Sequence, residues 1–197
     1  MNLPNFALNM IKRGNRIILR DKLLSDMDFF VFVETRGEWR EYDAPWEGIR
    51  NSITPEEESK YREGFLAKLA DEKPVPRKSA VIATHEGIPI GMVNRYTQHV
   101  YEQVWFIGID IFEDGYLNRG FGTEAIQLWV DYLFENADIH RISLDTWSVN
   151  PRMIRVAQKL GFVYEGAQRE MQQWQGEWLD LLHFGMLRSE WDTYQHP

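Results

Sequence analysis

A chain of 197 residues with 44% hydrophobic and 26% charged residues has enough apolar material for a full buried core, and its 14% aromatic content argues against disorder. It has no cysteine, which excludes a disulfide framework, a thiolate metal site and a cysteine nucleophile, and suits a reducing cytoplasmic setting. A net charge of −8 argues against nucleic acid as a partner and is compatible with a cationic substrate, while no apolar run reaches the roughly 18 residues of a membrane span.

Met1 to Met10 is apolar but lacks a basic leader, and reads as a tail packed on the domain rather than a signal peptide. Arg16–Arg20 predicts a first strand. Ser25-Asp26 begins a helical pattern with Met27, Phe30, Val31 and Phe32 on its apolar side. Residues 36–53 mix Gly37, Pro45 and Gly48 with Trp39, Tyr42 and Trp46, the pattern of a loop. Thr54, Pro55 and the run Glu56-Glu57-Glu58 form a strong helix start, with a cap, a first-turn proline and carboxylates at the positive dipole end. Phe65, Leu66 and Leu69 supply the buried side of that helix. Lys73–Lys78 is a connector. Residues 80–83, 90–96 and 103–112 predict an antiparallel meander, with a turn at His85-Glu86-Gly87.

The period then changes. Thr123–Asn136 predicts a helix with Ile126, Trp129, Val130 and Leu133 on one face, followed by a strand over Arg141–Trp147. Asn150 and Pro151 start a second helix and Gly161 ends it. Phe162 opens a strand, Gln175-Gly176 makes a hairpin turn, and Trp178–Leu187 is the last strand. This order predicts a mixed α/β sheet.

The segment Tyr116-Leu117-Asn118-Arg119-Gly120-Phe121-Gly122-Thr123-Glu124-Ala125 lies between a long strand and an amphipathic helix. Its glycines permit a tight turn whose N–H groups converge, and the helix terminus adds its dipole and unpaired donors. Three readings are open. The glycines serve packing alone; or Gly120-x-Gly122-x-x-Ala125 with downstream Asp145 is a dinucleotide fingerprint, although it follows an antiparallel meander; or the loop binds the pyrophosphate of coenzyme A. A side chain at Gly120 is expected to fill the anion site.

The segment resembles the acyl-CoA-binding motif of the GNAT acetyltransferase superfamily, Gln/Arg-x-x-Gly-x-Gly/Ala. Leu144–Phe162 is similar to the second coenzyme A segment of that family, with its strand, Asn150, helix and Gly161-Phe162. Glu165-Gly166 through Arg169-Glu170 to Gly176-Glu177-Trp178-Leu179-Asp180 resembles the Rim-type branch, which includes ribosomal-protein N-terminal acetyltransferases. The resemblance is clear over residues 79–190 and weak over 16–78. It departs at Leu117, where Gln or Arg is usual, at Ala157, where many members carry a proton-donating Tyr, and at Met153, which is Ser in some Rim-type members.

The resemblance implies an α/β fold with a mixed, mostly antiparallel central sheet and flanking helices. It also implies one acetyltransferase domain over 1–197, with residues 16–78 on the acceptor side and 79–190 on the coenzyme side. The implied activity is direct acetyl transfer from acetyl-CoA, without a metal, to a primary amine: a protein N-terminus or a small cationic amine such as a polyamine or aminoglycoside. A coenzyme-binding regulatory module without chemistry stays open because of Leu117 and Ala157. The implied cofactor contacts are Ile109, Asp110 and Ile111 through the backbone, Leu117, Asn118, Arg119, Gly120, Phe121, Gly122 and Thr123 in the loop, and Asn150 and Arg155 beyond it. Asn150 as a helix cap and Arg155 as an exposed helix residue are the plain alternatives.

An attacking amine must lose a proton, so a base is required. Asp110 interrupts an apolar strand, where a carboxylate needs a partner or a wet cleft, and Glu102 opens the same strand; both are candidate bases. Asp145, Asp180 and His183 read as structural. His85, His99, His140, His183 and His196 show no metal-ligand spacing. Trp39, Tyr42 and Trp46 are a candidate acceptor wall, with Glu38, Glu41, Asp43 and Glu47 favouring a cation. The aromatic excess makes a homodimer plausible.

Overall fold

Eight strands form one sheet in the order β1-β2-β3-β4-β5-β6-β8-β7. They are β1 (Met10–Arg13), β2 (Ile17–Arg20), β3 (Ser79–Thr84), β4 (Pro89–Tyr96), β5 (Val104–Ile111), β6 (Arg141–Trp147), β7 (Val163–Trp174) and β8 (Glu177–Leu187). The helices are α1 (Met27–Phe32), α2 (Pro55–Ala70), α3 (Phe121–Asn136), α4 (Pro151–Lys159) and α5 (Arg188–Gln195). This computed structural model describes residues 9–47, 52–98 and 102–195. Neighbouring strands are antiparallel except β5 and β6, which are parallel because α3 carries the chain back across the sheet. The expected fold class, a mostly antiparallel α/β sheet with flanking helices, is the one observed.

Several boundaries differ from expectation. The strand over Arg16–Arg20 is the second, because Met10–Arg13 pairs against it; Met10 thus belongs to the sheet, while residues 1–8 of the expected tail lie outside the described part. Helix α3 begins at Phe121, two residues early, which puts Gly122 and Thr123 in its first turn. Helix α5 has no sequence forecast. Phe32 and Leu66, expected on buried faces, are 41% and 48% exposed, because the first helix is short and α2 packs mainly through Phe65.

The predicted helix starts are realised in detail. The Thr54 hydroxyl accepts from the Glu57 N–H at 3.2 Å, and the Glu57 carboxylate accepts from the Thr54 N–H at 2.9 Å. Asn150 Oδ1 accepts from the Met153 N–H at 3.1 Å, with Pro151 at the first helical position.

Alternation along the strands divides the core in two. On one face Ile107, Ile142, Leu144 and Phe184 pack under Ile126, Trp129 and Leu133 of α3, Ala157 of α4 and Trp191 of α5. On the other, Ile18, Val81, Ala83 and Phe112 pack under Phe30, Val33 and Phe65. On this second face Arg20 and Asp26, 0% and 2% exposed at the side chain, make a two-pronged ion pair at 2.6 and 2.8 Å. Asp26 also accepts from the Leu23 N–H, and Arg20 donates to the Asp21 and Gly87 carbonyls. A buried pair is tolerated only with such additional bonds. It fastens β2 to the start of α1 and to the β3–β4 turn.

Candidate active site

Pairing between β5 and β6 covers only Val104–Phe106 against Arg141–Ser143. Beyond it β5 continues with β4 and β6 with β8, so the two parallel strands part. The β6-facing edge of Ile107–Ile111 is thereby open, and a cleft of about 760 Å³ occupies the gap. Its lining comes from both faces of the sheet. Ile109, Ile111, Leu144 and Thr146 belong to the face covered by α3 and α4, together with Gly122, Thr123, Met153 and Val156. Asn94, Tyr96, Gly108, Asp110, Asp145 and Trp147 belong to the opposite face, as the register requires. The gap therefore passes through the sheet.

The glycine loop forms one wall. Asn118 and Gly120 take left-handed conformations, at φ +56° and +85°, and turn the chain into α3. The first N–H groups of that helix have no acceptor within it, so an anion at this end gains donors and dipole together. A Cβ on Gly120 would meet the Arg16 guanidinium at 2.9 Å, so bulk there would strike the back of the loop rather than fill the anion site as expected. A Cβ on Gly122 would meet only Ile109 and Ile111, at 3.8 and 3.9 Å, on the cleft side.

Charge is divided across the sheet. On the α4 side Arg155 and Lys159 border the cleft, while Arg152 of the same helix turns its guanidinium to Glu38 on the opposite side. On the other side stand the carboxylates of Asp43, Asp110 and Asp145. Asp145 Oδ1 lies 2.8 Å from His183 Nδ1, a pairing of two residues that each read separately as structural in the sequence. Tyr96 stacks on Phe106 at 5.5 Å between ring centres. Its hydroxyl is held above the ordinary tyrosine pKa, first by burial and then by the charge of Asp145, and so keeps its proton at neutral pH.

The segment after α1 closes the top of the gap. Its Trp39 ring meets Phe112 at 5.0 Å, its Glu38 N–H donates to Asp114 at 2.8 Å, and Arg36 pairs with Glu113 at 3.1 Å, all at the end of β5. On the other bank Arg152 pairs with Glu38 at 2.6 Å and lies over the Tyr42 ring, while Trp46 packs edge-on against Trp147 at 4.5 Å. This strap thus spans both parted strands, and Trp39, Tyr42 and Asp43 line the cleft beneath it.

Of the sequence-predicted residues, Ile109, Asp110, Ile111, Leu117, Asn118, Gly120, Gly122, Thr123, Asn150 and Arg155 line the cleft. Three do not. Arg119 turns its guanidinium to the Gly115 carbonyl at 3.0 Å, Phe121 packs on Tyr116, and Glu102 is exposed before β5 begins. Trp46 leaves the expected acceptor wall to pack on Trp147 and Trp174. Ala157 is fully buried on the inner face of α4. Sequence reasoning missed Asn94, Tyr96, Arg152 and Lys159. The alternation of Asn94 and Tyr96 along β4, and the helical spacing of Arg152, Arg155 and Lys159, were the available signals. Among the described residues no group of three or more His, Asp or Glu side chains is arranged to hold a metal ion.

An open gap between parted parallel strands, with a helix start on one bank, defines the candidate site. Residues 16–163 match the family described as acetyltransferase (GNAT) domain, and the chain belongs to that family. An uncharacterized N-acetyltransferase of Bacillus subtilis (strain 168), YnaD, is 30% identical over 118 residues, spanning 58% of this chain and 66% of that protein, just under two thirds of its length. The SPbeta prophage-derived uncharacterized N-acetyltransferase YokL of the same organism is 24% identical over 191 residues, 95% of this chain and 93% of that one. Among solved structures, spermidine N-acetyltransferase from Vibrio cholerae in complex with CoA and spermine superposes with a TM-score of 0.69 at 19% identity, covering 90% of this chain and 99% of that one, a likeness of fold.

Proposed function

We propose that the protein transfers the acetyl group of acetyl-CoA directly to a primary amine, and that the acceptor is a small cationic amine. The observation that carries this reading is the gap through the sheet, cationic on one face and carboxylate-lined on the other. Phosphates match the α3 and α4 side, where helix N–H groups, Arg155 and Lys159 stand. An ammonium group matches Asp43, Asp110 and Asp145, with Trp39 and Tyr42 offering ring faces. Asn150 spends Oδ1 on its helix, which leaves its NH₂ group for the pantetheine arm.

In the reaction the amine nitrogen, once deprotonated, attacks the thioester carbon. The N–C bond forms, the C–S bond breaks, and the sulfur leaves as a thiolate that must be protonated. Backbone N–H groups on the open edge of β5 are suited to the developing oxyanion. Asp110 takes the amine proton, directly or through a water. Tyr96, which keeps its proton, is suited to donate to the thiolate. Glu102 has no part in this reading, because it stands outside the cleft. With no cysteine in the chain, no acetyl-cysteine intermediate forms.

A protein N-terminus is the second acceptor reading, carried by the Rim-type pattern over Glu165–Asp180 and by Trp178 and Met171, each 55% exposed on the β7–β8 hairpin, whose strand β8 also sends Leu181 to the cleft. Calorimetric titration with acetyl-CoA, then thiol release against polyamines, aminoglycosides and N-terminal peptides, tests both. Micromolar binding with release on a polycation supports the first reading, and release on peptides alone supports the second. Binding without release on any amine would leave a coenzyme-binding module. Asp110→Asn is expected to lower kcat at least tenfold with CoA affinity unchanged; full turnover in this variant would remove Asp110 from the mechanism.

A further inference from the structure

We infer that Arg16, over a hundred residues upstream of the glycine loop, is the positioning residue that aims the loop at the coenzyme; this rests on the acetyl-CoA reading above. Every nitrogen of the Arg16 guanidinium is engaged on the loop or on the first turn of α3. Nη1 donates to the Arg119 carbonyl at 2.6 Å, Nη2 to the Gly120 carbonyl at 3.3 Å, and Nε to Glu124 Oε2 at 2.9 Å. The Arg16 backbone N–H donates to Glu124 Oε1 at 2.9 Å, and the guanidinium lies 5.3 Å from the centre of the Phe121 ring.

A trans peptide holds its C=O and N–H antiparallel. Drawing the carbonyls of Arg119 and Gly120 back to Arg16 therefore points the N–H groups of Gly120 and Phe121 the other way. A loop with left-handed residues at Asn118 and Gly120 has alternative peptide orientations, and Arg16 selects this one. It also neutralises Glu124, a carboxylate in the first turn of the helix that must receive an anion. The loop's own arginine does neither, since Arg119 turns to Gly115. The fork geometry matters: a lysine carries the charge but not the planar set of donors.

The test is binding of two probes, CoA and pantetheine, to the full chain. Pantetheine lacks the pyrophosphate and nucleotide. Arg16→Ala is expected to raise the Kd for CoA about tenfold and to leave that for pantetheine within about twofold, because only the loop contacts are lost. Arg16→Lys is expected to fall between wild type and Arg16→Ala, and it supplies the folded comparison if the alanine variant does not fold. Lys12→Ala, which removes the neighbouring 2.6 Å Lys12–Glu135 pair, is the control and should leave both Kd values unchanged. A folded Arg16 variant with wild-type CoA affinity overturns the inference. So does equal weakening of CoA and pantetheine, the signature of a purely structural residue. If the wild-type chain takes up no CoA, the coenzyme reading itself fails first, and this inference with it.

Discussion

Gly122→Glu puts a carboxylate on the cleft side of the glycine loop, where the function proposed above seats phosphate. The new Cβ would touch only Ile109 and Ile111, at 3.8 and 3.9 Å, so the backbone is undisturbed. Gly122 lies in the first turn of α3, where a negative charge adds about 0.3–1 kcal/mol. The fold should hold or strengthen. In the cleft, a carboxylate about 5 Å from one phosphate charge, at an effective dielectric of about 20, costs roughly 3 kcal/mol. That is about two decades in affinity before the second phosphate or bulk is considered. Titration calorimetry with acetyl-CoA reads the affinity, and scanning calorimetry reads the Tm. Gly122→Gln separates charge from size: it should lose much less binding than the glutamate variant. A folded Gly122→Glu protein with wild-type acetyl-CoA affinity would refute the anion-site reasoning.

Two further outcomes concern stability. Asp26→Ala leaves the Arg20 guanidinium buried without its carboxylate and should cost about 3–5 kcal/mol in urea unfolding; a loss below about 1 kcal/mol would mean that the pair is not the fastening it looks to be. Arg141 grips the Glu165 carboxylate with two nitrogens, one of them at 2.6 Å, and this bonding holds the Glu165 pKa below the ordinary 4.5. A depressed carboxylate pKa contributes stability above 4.5 that is lost as pH falls through the lower folded value. The Tm should therefore drop on acidification below pH 4.5, and Glu165→Gln should flatten that drop; an unchanged slope in the variant would exclude the pair as its source.

What the sequence made legible was local chemistry. Thr54 with Glu57, Asn150 with Pro151, and Gly161 announce their helix ends because cap, proline and glycine act within four residues. The glycine loop is legible for the same reason, since two left-handed positions and a helix start adjoin in the chain. Long-range pairings left no such mark. Nothing local says that Arg16 will reach the Gly120 carbonyl, that Arg20 will be buried on Asp26, or that Tyr96 will face Asp145 across the gap. Strand β1 was hidden by its length, four residues beside an apolar segment, and α5 by its position after the last predicted strand. Gly120 misled for a related reason: the motif marks it as a loop glycine, and only the fold reveals which side its missing Cβ would face.

A gap that traverses a sheet has two mouths. On the function proposed above, coenzyme enters under α3 and α4 and the amine from the opposite face, so neither substrate stands in the other's doorway. Two molecules can then be resident together, and product can leave by one mouth while spent coenzyme still occupies the other. The strap over the parted strand ends bears on this traffic. Its Glu38–Arg152 contact at 2.6 Å ties one bank to the other above both mouths.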